Sequence, residues 1–213
     1  MKRAFILCRP ADMPIARACQ NHMQELGWIS SVMIDRGEWP EPPENVILAD
    51  YSTQGRGMFG NKCANAIMDG IIAHSSPGDV VMKMDCDVWL SAAAGEWLSQ
   101  AGQAKTYSVE YGGKIQPWGG MWSATHEHVV AARVTADTLA RCKCAESYLN
   151  LKALHLTPPG LHVNPTLVTQ WEPGGQWGEV TTLPITKRKN RGDEGLALFT
   201  PPGASASPRP QTT

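Results

Sequence analysis

Asp79-Val-Val-Met-Lys-Met-Asp85-Cys86-Asp87 is the stretch on which the reading of this 213-residue chain turns. Val80 to Met84 is a short, mostly apolar run of the kind that forms a buried strand. It leads straight into two carboxylates. In an extended segment residues i and i+2 point to the same side, so Asp85 and Asp87 leave the strand end together while Cys86 faces away. In open α/β sheets, ligands sit at the carboxyl ends of the strands. A hard divalent cation such as Mg2+ or Mn2+ takes oxygen ligands, a few from protein and the rest from phosphate and water. One carboxylate on the cation and the other on a sugar or ribose hydroxyl is a workable division, with the cation neutralising a departing diphosphate. By itself an Asp-x-Asp triplet is more often a solvated turn, so its surroundings decide.

Upstream, Ser75-Ser-Pro-Gly78 breaks a helical stretch from Gly60 to Ala73, whose Cys63, Ala66, Ile67, Gly70 and Ile71 share one face. Before it come a strand over Asn45–Ala49, a Pro-rich loop from Trp39 to Pro43, and a strand over Ser30–Asp35 closed by Arg36-Gly37. The first helix starts at Asp12, with Asp as cap and Pro14 in the first turn. Its apolar positions run through Ile15, Ala18, Cys19, Met23 and Leu26, and Gly27 ends it. The opening strand is Arg3 to Arg9, stopped by Pro10. Strand, helix, strand, strand, helix, strand predicts an α/β layered domain with a mostly parallel sheet.

Downstream, the pattern predicts a helix over Ala92–Ala101 and a strand over Lys105–Tyr111. Gly112-Gly113 and Gly119-Gly120 bracket a loop carrying Trp118 and Trp122. A helix is expected from a capping Thr135, with Asp137 in its first turn, to Leu154. Two strands follow around Leu161–Val163 and Glu179–Leu183. The tail 201–213 is Pro, Ser and Ala without periodicity and reads as disordered.

Composition bounds the rest. The length fits one domain or one domain plus a short appendage. A net charge of −1 gives the whole molecule no strong electrostatic pull toward nucleic acid or acidic membrane. The apolar run Ala4–Cys8 is too short for a signal-peptide core, and no stretch approaches the ~18 apolar residues of a membrane span. Six scattered cysteines, several inside apolar runs, read as reduced thiols of a cytoplasmic protein. Cys142 and Cys144 with His155 and His162 do not match a zinc spacing.

The stretch from Asp50 to Leu90 resembles the donor-binding half of the glycosyltransferase family-A (GT-A) fold. The residues that carry the resemblance are Arg56-Gly57, Asn61-Lys62, Asn65-Ala66, Gly78-Asp79, Lys83 and Asp85-Cys-Asp87-Val88. The opening strand and helix extend it over about the first 90 residues. Later, Gly119-Gly120-Met-Trp122-Ser123 is similar to the glycine-bearing loop beside the donor sugar. Cys144-Ala-Glu146-Ser147-Tyr148 is similar to the Glu-Asp segment that supplies the base of inverting members. Here Ser147 stands where Asp is usual, which leaves Glu146 as the carboxylate.

The resemblance implies a three-layer Rossmann-like GT-A fold over residues 1–200. Residues 1–90 would be the nucleotide-sugar half and 91–200 the acceptor side. It further implies a metal-dependent glycosyltransferase moving a sugar from a nucleotide-diphosphate donor, commonly a UDP-sugar. Donor contacts then fall on Arg56, Lys62, Asp85, Gly120 and Trp122. The metal, Mn2+ or Mg2+, falls on Asp85 and Asp87, with His162 as a third ligand that favours Mn2+. Glu146 would take the acceptor hydroxyl's proton. The acceptor stays open: polysaccharide, lipid, protein or a modified nucleic-acid base.

Blander roles stand beside these. Lys62 can simply begin a helix, Glu146 can be an exposed helix residue, and His162 a half-buried strand histidine. Trp122 can pack for its area alone. Two other functions compete. A sugar-1-phosphate nucleotidyltransferase shares the layered sheet but opens with a Gly-rich phosphate loop, and Cys8-Arg-Pro-Ala-Asp-Met-Pro14 has no glycine. A non-catalytic nucleotide-sugar-binding module fits the replacement at Ser147.

Overall fold

The computed structural model describes residues 1–50, 61–86, 88–90, 92–102, 104–106, 108–111, 114–117, 120–138 and 145–149, with three short strands beyond them. The elements follow the predicted alternation. They are β1 (Lys2–Cys8), α1 (Met13–Glu25), β2 (Ile29–Asp35), β3 (Val46–Ala49), α2 (Asn61–Ala73) and β4 (Val80–Asp85). Then come β5 (Val88–Leu90), α3 (Ala92–Ser99), β6 (Ser108–Tyr111), β7 (Lys114–Pro117), β8 (Met121–Thr125) and α4 (His126–Thr138). The last strands are β9 (Trp171–Glu172), β10 (Gln176–Trp177) and β11 (Ile185–Lys187).

The central sheet has five strands in the order β3-β2-β1-β4-β8. The first four are parallel and β8 runs antiparallel to β4. From β1 the chain steps outward to β2 and β3, then returns to lay β4 on the other side of β1. The strand order therefore reverses between β1 and β4.

The strands are apolar on both faces because both faces are covered. Ala4, Ile6, Val32, Ile34, Met82 and Met84 pack with Ile15, Cys19 and Met23 of α1 and Leu98 of α3. Phe5, Met33, Ile47, Val81 and Trp122 pack with Ile67, Met68 and Ile71 of α2 and Val129 and Ala132 of α4. The result is a three-layer, Rossmann-like α/β fold. Each large side chain buried in this way contributes about 1.5–3 kcal/mol.

Gly27, at φ +77°, takes the left-handed position that ends α1. Gly70 lets α2 press onto the sheet. A Cβ there would lie 3.0 Å from Met33 Cε and 3.4 Å from Ala49 Cβ. On that face Arg133 of α4 also reaches Asp69 of α2, with Nε 2.8 Å from Oδ1.

Several expectations need correction. Asp12 occupies the N-cap of α1, but its side chain makes no capping hydrogen bond. The segment Lys105–Tyr111 is not one strand. Lys105 bridges to Ser123, and Ser108–Tyr111 pairs with Lys114–Pro117 as a hairpin. Trp122 sits in a sheet strand rather than a loop. Thr135 caps nothing, because α4 starts nine residues earlier at His126, and its Oγ1 donates back to the Ala131 carbonyl at 2.7 Å. A threonine hydroxyl serves a cap or an i−4 carbonyl equally well, so local sequence did not separate the two. The helix is described as far as Thr138; of the rest of the expected span, Ala145–Tyr148 is a 3-10 turn, while 139–144 and 150–154 lie outside the described residues. The strands expected around 161–163 and 179–183, and the tail 201–213, lie outside the described residues.

The amino end of β4 is fixed by Asp79, which is buried. It accepts from the Met1 amino group at 2.8 Å, Arg3 Nε at 2.6 Å and the Ser76 amide at 3.0 Å. The amino group above all, then Arg3 and the Ser76 amide, hold its carboxyl well below the usual range in spite of burial. A carboxylate depressed in this way adds stability that is fully present above the ordinary aspartate range and is lost progressively as pH falls from that range toward the much lower folded value. Asp79→Asn is expected to lower the Tm near pH 7 by roughly 4–8 °C, the equivalent of about 2 kcal/mol. The gap between variant and parent should narrow as the pH is lowered from about 6 to 3. Thermal melts across that range check it, and a pH-independent gap contradicts it.

Candidate functional site

At its carboxyl end β4 turns from apolar to charged without leaving the sheet. Val81, Lys83 and Asp85 alternate onto the face covered by α2 and α4. Asp85 is the register partner of Leu7 in β1. Its amide donates to the Gly120 carbonyl at 2.9 Å, and the next amide, that of Cys86, donates to the Leu7 carbonyl at 3.1 Å. Backbone bonds on both sides thus fix where the Asp85 side chain starts. The position lies at the reversal of strand order between β1 and β4, the place in an open α/β sheet where ligands bind.

The Asp85 side chain is 19 % exposed and Lys83 only 8 %, with Nζ 3.2 Å from Oδ1. A lysine this deep needs an anion near it, because a buried uncompensated charge costs several kcal/mol. Opposite Lys83 across the β4–β8 ladder is Trp122, which has no exposed surface. Its indole Nε1 donates to Glu146 Oε1 at 2.7 Å. Glu146 belongs to the Ala145–Tyr148 turn, and that turn is tied to α2 by the Ala145 amide donating to Asn65 Oδ1 at 2.6 Å. The sheet and α2 therefore both hold the turn that carries Glu146.

Cys63 in the first turn of α2 registers the same gathering of charge. Burial pushes its thiol up first, Glu146 pushes it further, Lys83 works the other way, and Asp35 and Glu38 add to the rise. Asp35 stands at the carboxyl end of β2. Burial raises its carboxyl, the Gly37 amide at 3.0 Å opposes that, and Asp50 reinforces it.

Four of the residues singled out in the sequence are thus brought together: Asp85, Gly120, Trp122 and Glu146. Gly120 contributes its carbonyl to the Asp85 amide. Trp122 is the correction. With no exposed surface, its ring has no face to offer a donor, and its polar contact is Glu146. Arg56, Asp87 and His162 lie outside the described residues, as does the side chain of Lys62. Sequence reasoning counted Lys83 and Asn65 among the residues of the resemblance without giving either a role of its own, and gave none to Asp35. The signal for Lys83 was in view, as a single lysine inside Val-Val-Met-Lys-Met.

Among the described residues no group of three His, Cys, Asp or Glu side chains is gathered as for a metal ion. What Asp85 does offer is one partly exposed carboxylate, the donor type a hard cation takes. It fits as one oxygen ligand of such an ion, with phosphate and water completing the set. No described helix is long and apolar enough to cross a membrane.

No family model and no curated protein matches the sequence. Solved structures are similar at the level of the layered sheet. The inositol-1-phosphate CTP transferase from T. maritima is 9 % identical, with 72 % of this chain and 81 % of that one covered and a TM-score of 0.44. The apo-form glycosyltransferase GlyE of Streptococcus pneumoniae TIGR4 is 12 % identical, covering 70 % and 42 %, TM-score 0.39. A Drosophila β-1,4-galactosyltransferase 7 mutant, in complex with manganese, UDP-Gal and xylobiose, is 14 % identical, covering 62 % and 51 %, TM-score 0.36. The chain spans about half or less of the two glycosyltransferases. Likeness of this degree says nothing of the site.

The environment of Cys63 predicts slow alkylation. At about pH 8 iodoacetamide should modify it more slowly than a small free thiol, and Glu146→Gln should speed the reaction by removing a nearby negative charge. Mass spectrometry of the labelled peptide measures both rates. A Cys63 that reacts like a free thiol and ignores Glu146→Gln contradicts the geometry.

Proposed function

We propose that this chain is a nucleotide-sugar-dependent glycosyltransferase whose donor sits at the carboxyl end of β4. The observation that supports this most is the position of Asp85. It is a partly exposed carboxylate on the last residue of β4, at the reversal of strand order, with its backbone bonded on both sides. The Asp-x-Asp triplet in the sequence and the resemblance of residues 50–90 to GT-A donor-binding halves support a nucleotide-sugar as the ligand there. Residues 1–200 as one such unit are part of the proposal.

In this proposal Asp85, with Asp87 and His162, would hold Mn2+ or Mg2+, which supplies positive charge for the donor's diphosphate. Arg56 and Lys62 bind the nucleotide, and Gly120 lies beside the donor. Lys83 keeps Asp85 oriented. Glu146, held toward the same sheet face, is the base. The acceptor hydroxyl oxygen bonds to the anomeric carbon as the carbon–oxygen bond to the diphosphate breaks. The hydroxyl proton passes to the Glu146 carboxylate, and the nucleoside diphosphate leaves with the bonding electrons.

Asp85→Asn is the informative variant. Asp85→Ala would also strip a buried lysine of its neighbouring anion and disturb the fold. With UDP and Mn2+, calorimetry should show Asp85→Asn weakening binding at least about tenfold, with the Tm within a few degrees of the parent. Equal affinity for parent and variant refutes the assignment. Donor binding with no release of UDP from any of a panel of UDP-sugars would leave the binding-module alternative standing instead.

A further inference from the structure

Glu146 does not owe its place to its own turn. Ala145–Tyr148 is a single 3-10 turn, too short to hold a long side chain in one rotamer, and a glutamate carries about 1.5–2 kcal/mol of rotamer entropy at 25 °C. The contact that fixes it comes from the sheet. Trp122 is rigid for three independent reasons. It is one of the large side chains with no exposed surface. It lies within a paired strand opposite Lys83, and that strand bridges on its other side to Lys105 through Ser123. An indole N–H donates and never accepts, so the bond from Nε1 to Oε1 at 2.7 Å has one possible sense, with Oε1 as acceptor.

From this we infer that Trp122 is a positioning residue for Glu146, a role resting on the proposal that Glu146 is the base. The indole occupies Oε1 and sets the plane of the carboxyl group. Oε2 is then the oxygen that receives the proton of the attacking hydroxyl. Asn65 supports the arrangement from the other side by accepting from the Ala145 amide at 2.6 Å, which stops the turn from sliding along α2. Trp122 touches neither donor nor acceptor. Its chemical contribution is the N–H, and its bulk belongs to the core.

Those two contributions are separable, because Trp122→Phe keeps an aromatic ring and deletes the donor. A base displaced by as little as 1 Å costs a step about 100-fold. With UDP-glucose, Mn2+ and water as acceptor, Trp122→Phe is expected to lower kcat for UDP release by about 10- to 100-fold, with KM changed less than about twofold. In the Glu146→Gln background, the same substitution should add little. Equal, additive losses in the two backgrounds, or a loss in KM alone, would overturn the positioning role.

A second measurement needs no turnover. In protein labelled with 15N at tryptophan, the Trp122 indole signal, identified by its disappearance in Trp122→Phe, should shift in Glu146→Gln and exchange slowly with deuterium. An indole signal indifferent to Glu146→Gln overturns the inference even if the transferase proposal stands. A shifted signal together with undiminished UDP release by Glu146→Gln instead removes Glu146 as base, and Trp122 loses its catalytic meaning with it.

Discussion

The parallel pairing of β1 with β4 is the constraint from which the rest of the arrangement follows. Two parallel strands adjacent in a sheet need a crossover between them, and here the crossover contains two further strands and two helices. α1 returns the chain on one face and α2 on the other, so both faces of β1 and β4 are sealed. A sealed strand has to be apolar, which accounts for Phe5-Ile-Leu and Val80-Val-Met as near-continuous apolar runs. Polar side chains are then admitted at the strand ends, and β4 has one carboxylate at each.

Those two carboxylates meet opposite fates. Asp79 at the amino end is closed in by an amino group, a guanidinium and a backbone amide. Each of its oxygens has a donor, and it staples the start of β1 to the start of β4. Asp85 at the carboxyl end has Lys83 Nζ 3.2 Å from its Oδ1 and keeps part of its surface exposed. The contrast sets a structural carboxylate against a candidate ligand at the two ends of a single strand. A carboxylate saturated by donors stabilises the fold. One held in place by its backbone and left partly exposed can still take a cation or a hydroxyl.

How much of this was legible beforehand depends on the range of the interaction. The first five elements and β4 could be read because their apolar periodicity and their breakers, Gly27, Pro43 and Ser75-Ser-Pro-Gly78, are local signals. β8 could not. Met121-Trp-Ser-Ala-Thr is short, has only two large apolar residues, and becomes a strand through its pairing with β4. α4 was misplaced because its buried positions, Val129, Ala132 and Ala136, are mostly small, so its apolar face is faint, while Thr135 imitates a cap. At the site, Asp85 was legible as a charge ending an apolar strand. The work of Trp122 was not, because nothing within twenty residues of an indole announces which carboxylate it will meet.

A tryptophan beside a glycine pair, in a chain with an acidic strand end, suggests ring stacking on a sugar. Complete burial rules this out for Trp122, and what remains of its chemistry is a single N–H. A buried donor left without an acceptor would cost about 1–3 kcal/mol, so the sheet gains by capturing a carboxylate, and the carboxylate within reach is Glu146. Core packing and site geometry are in this way the same contact. β8 stabilises the fold by burying the indole, and in doing so it holds Glu146 on the sheet face that carries Lys83 and Asp85. The short 3-10 turn bearing Glu146 is anchored by its buried Ala145 and by Leu149 just after it, and Trp122 on one side and Asn65 on the other add the hydrogen bonds that orient it.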